Sequence, residues 1–285
     1  MQSNNPVFRR SEEFNSANAY GNQTYAGNGG YTDPSTWNVG QPGQPAQAPA
    51  PVATGGPMTI DSVVQKTAIS LAVVIVTAAI TWVMSPSIDA NTTQPADISG
   101  LIAVASLASL GAFVLSMVNS FKRVISPVFV LLFCAFEGVA LGGISKVFDM
   151  AYPGVVTSAV IGTFGAFAGT LAVYKFFNIK VGDKFRRMIF AAMIGMVAIS
   201  LIEVVLSLFG AQLGLFEMGS LGLIFAVAGL ALGVFMLVLD FDFVEQGIAN
   251  GLPDREGWRA AFAMTVSLVW IYTNLLRILA IMRGD

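Results

Sequence analysis

The chain has no histidine among its 285 residues and a single cysteine, Cys134. Without imidazole, HExxH zinc sites, Ser-His catalysis and histidine pH switches are all excluded. One cysteine allows no internal disulfide and no cysteine cluster for a metal, and inside an apolar run it reads as core filler. Charge is also scarce, at 11% of residues against about a quarter in soluble domains. The net charge of −2 argues against nucleic acid as a partner.

Hydrophobic residues, 55% of the total, fill the space. They form seven runs near 62–84, 98–118, 127–148, 154–174, 188–210, 219–240 and 259–282. A helix of about 20 apolar residues crosses a bilayer core of about 30 Å. The expected fold is therefore an all-α membrane protein of seven transmembrane helices, residues 58–285. Residues 1–57 are Asn, Gly, Gln and Pro with few aliphatics, so they are expected to form a disordered tail. The start of the chain lacks the apolar h-region of a secretory signal, and the first run is expected to be a true span.

Basic residues set the expected orientation. With the tail in the cytoplasm, 12 of the 15 Lys and Arg lie inside, and only Lys146, Arg277 and Arg283 lie elsewhere. That gives a cytoplasmic N-terminus and a C-terminus outside. Between helices, lipid supplies no hydrophobic drive, and small residues permit close packing. Gly138 and Gly142, Gly165 and Gly169, and Gly229 and Gly233 are three such pairs. The last span carries Ser267, Thr273, Asn274 and Arg277. Exposed to lipid these would cost several kcal/mol, so the last helix is expected at the centre of the bundle.

Ionisable residues within spans are the candidate functional groups. Glu137 lies near half depth with no counter-charge at its level, so it is either neutral or meets water or a cation. Glu203 and Arg277 lie about 22 and 27 Å from the starts of their spans at 1.5 Å per residue, and are expected to pair as a latch. Asp240, Asp242 and Glu245 cluster where the sixth span ends. A solvated helix end is one reading; a cation mouth is the other, with Asp240 and Asp242 as oxygen ligands and Asp254 and Glu256 opposite. Seven spans also suggest an opsin, but the last lysine is Lys184, so the final helices lack a Schiff-base amine.

Three segments together resemble the Bax inhibitor, or transmembrane Bax inhibitor motif, family, including its YccA-like bacterial members. They are "FEGVALGGIS" on the third span, "VLDFDFVEQGI" at the end of the sixth and "YTNLLRILAIM" on the seventh. The opening "NPVFRR" and the long polar tail are most similar to the actinobacterial branch. The resemblance implies a bundle around a central last helix and a pH-sensitive calcium leak governed by aspartates on the sixth and seventh helices. Asp240 or Asp242 matches the first of these, whereas Ile271 stands at the position of the second.

The leading expectation is a passive cation leak through a path lined by the fifth, sixth and seventh helices. Glu137, Glu203, Asp240, Asp242, Glu245, Asn274 and Arg277 would line or gate it, with calcium as the carried ion and no cofactor. The alternative is a non-conducting regulator that binds other membrane proteins, such as a quality-control protease. An intramembrane enzyme is not expected, since no nucleophile and base are paired.

Overall fold

A computed structural model describes residues 56–85, 95–177 and 181–284. The expectation of a disordered tail falls almost wholly outside these residues. Among them, seven helices are long and apolar enough to cross a membrane. They are α1 (Ile60–Met84), α2 (Pro95–Phe121), α3 (Pro127–Ala151), α4 (Val155–Phe176), α5 (Asp183–Leu208), α6 (Ser220–Ala249) and α7 (Gly257–Gly284), the last preceded by a 3-10 turn, Asp254–Glu256.

Local chemistry sets the helix ends. The Thr59 side chain accepts from the backbone N–H of Ser62 and starts α1. Pro127 opens α3, where its missing N–H costs nothing. Asn250 and Gly251, the latter at φ 64°, stop α6. No such breaker occurs at residue 240, so α6 runs nine residues beyond the expected span. Asp240, Asp242 and Glu245 therefore lie within a helix and not at its mouth.

α7 occupies the centre, as its polar residues require. It packs against α6, α1, α4 and α3, and these four close into a ring around it. α2 lies outside this ring against α3, and α5 lies outside it against α6. The peripheral place of α5, which buries only Ile189 and Glu203, corrects the expected path between α5, α6 and α7. From Met188 to Leu208 apolar residues occupy nearly every side of α5, a distribution that suits a helix with lipid around most of its surface.

Two of the three glycine pairs form seams. A methyl on Gly138 would strike the Thr77 side chain and the Val74 carbonyl, and one on Gly142 would lie 2.6 Å from the Ala78 carbonyl oxygen. These two residues bring α3 onto the backbone of α1. On α6, Gly229 faces Asn274, and a methyl on Gly233 would lie 2.8 Å from Ile271 Cγ1 of α7. Gly165 and Gly169 are the exception: both are exposed, and nothing lies within 4 Å of the position a methyl would take.

The two ends of the bundle are tied differently. At one, the Met58 N–H donates to the Leu252 carbonyl at 2.7 Å and the Asp254 N–H donates to the Gly56 carbonyl at 3.0 Å. Lys66 Nζ pairs with Asp254 at 2.7 Å, and Arg259 with Glu256 at 2.7 Å. At the other, Lys146 donates to the carbonyls of Trp82 and Ser85, capping α1, and Arg283 donates to that of Pro153. α7 is continuous between these ends, so it crosses fully and its last residues lie opposite Met58.

Gly138→Ala is expected to lower stability by about 1–3 kcal/mol through overpacking, whereas Gly165→Ala should leave it unchanged or slightly raised; thermal unfolding in detergent compares the two. Deletion of residues 2–55 should leave the same transition in place. Extending the deletion through Met58, which is buried against Gly247, should lower it.

Candidate functional site

The three acids of α6 point to three different helices. Asp240 Oδ2 accepts from Ser267 Oγ of α7 at 2.5 Å. Asp242, itself buried, pairs with Arg186 of α5 at 2.7 Å and accepts from Gln246 at 2.7 Å. Glu245 is exposed and accepts from the Tyr174 hydroxyl of α4 at 2.5 Å. Positions 240 and 242 are separated by about 200° of helix rotation, so their carboxylates do not meet on one ion. Asp254 and Glu256 do not face them as ligands either, being held by Lys66 and Arg259. Among the described residues no group of three or more His, Cys, Asp or Glu side chains is placed to hold a metal.

Glu203 and Arg277 do not form the expected ion pair. The buried Glu203 carboxylate accepts from the backbone N–H of Leu213 at 2.9 Å and of Gly214 at 3.1 Å. Arg277 donates to the carbonyls of Leu215 and Glu217 and stacks 5.5 Å from the Phe216 ring centroid. Both charges grip one segment, the α5–α6 loop, from opposite polarities. Their similar depth brings both to the same loop, which supplies partners of each sign.

Asp240 sits nine residues before the end of α6, about 14 Å at 1.5 Å per residue. Ile271, one turn above Ser267, is wholly buried and packs on Gly233 and Leu237. Above it, Trp270 Nε1 donates to the Gly229 carbonyl at 2.8 Å, and Asn274 donates within α7 to the Trp270 carbonyl. The α6–α7 seam is thus an embedded carboxylate under an apolar plug. Glu137, ten residues into α3, is half-buried and has no hydrogen bond or ion pair among the described residues.

Over residues 5–284 the chain matches the family described as Bax inhibitor 1 like. The chain belongs to that family. No curated protein matches it.

In this Bax inhibitor 1-like chain the seventh-helix position expected for an acid is Ile271, and Asp240 takes a serine hydroxyl one turn away as its partner. The sequence places Ser267 on the last span but does not by itself join it to Asp240. The signal was available, since both face the same helix pair once α6 is allowed to continue past residue 240. The Arg186–Asp242 pair was also missed, because Arg186 counted as a topogenic loop charge and its helix starts three residues earlier, at Asp183.

Exchanging the charges, Glu203→Arg with Arg277→Glu, would restore a simple ion pair. Here it is expected to fail, since each side chain would meet backbone groups of the wrong polarity. Each single substitution should cost about 1–3 kcal/mol, and thermal unfolding of the exchange variant should show no recovery toward the parent.

Proposed function

We propose that the protein is a passive cation leak of the bacterial inner membrane, with calcium as the carried ion and the α6–α7 seam as its controlled segment. The observation that carries this reading is the state of Asp240. It is an embedded carboxylate with no cationic partner among the described residues, bound only by the Ser267 hydroxyl of the central helix. The other acids nearby are committed: Asp242 to Arg186 and Glu245 to Tyr174. A carboxylate within a membrane span and without a counter-charge is costly unless it stays neutral or meets an ion. Ile271, in close contact with Gly233, blocks the way above it, so conduction requires α7 to shift against α6.

The basic residues support the orientation. Lys122, Arg123, Lys175, Arg186, Arg187, Arg255 and Arg259 lie at the end that holds Met58, which is assigned to the cytoplasm. Asp240 then lies nearer the cytoplasmic face and the Glu203–Arg277 loop clasp nearer the outer one.

A second reading, a non-conducting regulator that binds other membrane proteins, has one observation in its favour. Gly165 and Gly169 give α4 a small-residue face that no described helix of this chain fills.

Purified protein in liposomes loaded with a calcium dye, taken through a pH series, separates the two. Calcium entry is expected to rise with pH, because a neutral carboxyl offers a cation no charge. Asp240→Asn should flatten that profile, and Ile271→Ala should raise the flux by thinning the plug. No flux above protein-free liposomes at any pH would set the leak aside in favour of the regulator.

A further inference from the structure

The connections at the two ends of the bundle differ in chemistry. The α6–α7 connection carries Asp254, Arg255 and Glu256, whereas the α5–α6 loop, Phe209 to Gly219, carries one charge, Glu217. Phe209, Leu213, Phe216 and Met218 of this loop are large apolar residues left exposed. They continue a surface that α5 already presents with Leu201, Val204, Val205 and Leu208. A contiguous apolar patch of this kind marks a surface made for something other than water.

The depth of the loop can be read from α7. The α3–α4 turn meets the last residues of that helix: Arg283 donates to the Pro153 carbonyl, and Gly284 abuts Tyr152. The α5–α6 loop meets α7 at Arg277, six residues earlier, which is about 9 Å along the helix. A hydrocarbon core of about 30 Å, measured along α7 from Arg259 at about 1.5 Å per residue, ends near Leu279. The loop therefore lies at the edge of the core, and the α3–α4 turn lies beyond it. Irregular backbone at that depth has no water to bond, so its polar groups must be answered within the protein. The N–H groups of Phe209, Gly210 and Ala211 donate to the carbonyls of Leu206 and Ser207, and that of Glu217 donates to Gly214. Glu203 takes the N–H groups of Leu213 and Gly214, and Arg277 serves the carbonyls of Leu215 and Glu217. The loop also packs on α6: Phe216 meets Phe225 edge-on at 6.1 Å, and a methyl on Gly222 would strike the Glu217 carbonyl.

We propose that the α5–α6 loop is a lipid-docking surface, embedded in the outer leaflet with Phe209, Leu213, Phe216 and Met218 against acyl chains. The partner of this surface is the bilayer itself. Glu203 and Arg277 are the residues that let an irregular segment lie there, since they answer its backbone from the protein side. Gln212 and Glu217, its exposed polar side chains, are left to the headgroups. The inference holds whether or not the α6–α7 seam conducts, and its test reads immersion directly.

Full-length protein in lipid nanodiscs carries a nitroxide introduced through Leu213→Cys, Met218→Cys, Val205→Cys or Ala151→Cys, each combined with Cys134→Ala so that a single thiol is present. Power saturation compares contact with oxygen, which concentrates among acyl chains, and with a nickel chelate, which stays in water. Labels at positions 213 and 218 should favour oxygen, as should the one at 205 on the α5 surface. The label at 151, beside the α3–α4 turn, should favour the chelate. Hydrogen exchange of the parent chain gives a check free of substitutions. The Leu213 and Gly214 amides should exchange slowly, and Glu203→Gln should speed them by about tenfold or more. Labels at 213 and 218 as open to the chelate as the one at 151, or loop amides that exchange at the rate of a free peptide, would overturn the embedding.

Discussion

Lipid cannot satisfy the polar groups that α7 carries. Ser267, Trp270, Asn274 and Arg277 each need a partner in a medium where an unanswered donor or acceptor costs several kcal/mol. One neighbouring helix, α6, and one loop provide them: Asp240 for Ser267, the Gly229 carbonyl for Trp270, and the carbonyls of Leu215 and Glu217 for Arg277. Asn274 turns back on its own helix. The glycines of α6 exist within the same constraint, because the groups on α7 reach their partners only if the two backbones lie close. Burial of α7, its polarity and the glycine spacing of α6 are one solution seen from three sides.

Neutralisation follows a common pattern elsewhere. Glu203 is answered by two backbone N–H groups, Lys146 by two carbonyls, Asp242 by an arginine and Asp254 by a lysine. Charges near the ends can reach such partners because helix termini leave backbone groups unpaired. Charges near the middle cannot, since the helical backbone there is already bonded to itself. Asp240 and Glu137 also lie within their helices, and among the described residues neither meets a cation, whereas Asp242, two residues on from Asp240, is turned toward Arg186. Their lack of a counter-charge follows from where they sit along the helices together with the face each one presents.

Much of this was legible in the sequence. Span number and helix type follow from apolar length, and the central place of α7 follows from the cost of its polar residues in lipid. The α3 and α6 glycine pairs were read correctly as seams, but the α4 pair was not, because the i, i+4 spacing states that a helix can approach and not that one does. Glu203 and Arg277 show the limit most clearly. Depth along a helix can be counted from the chain, but which loop folds back between two helices cannot. Asp240 and Asp242 failed as a joint cation mouth for a simpler reason: helix rotation sets them far apart once α6 is known to continue through them.

The enclosed position of α7 also bears on how the molecule is made. Translation delivers α1 to α6 to the membrane before α7 emerges. Until then the ring has no axis: Asp240 lacks Ser267, the α6 glycines lack Asn274 and Ile271, and the α5–α6 loop lacks the guanidinium that holds its carbonyls. The six-helix nascent chain therefore carries Asp240 and the loop carbonyls without the α7 groups that answer them in the finished bundle. Insertion of that segment is a closing step and not an addition at the edge. Folding quality in such a protein is decided at the end of synthesis, when the last helix either enters the ring or leaves an unfilled groove for the cell's quality control to find.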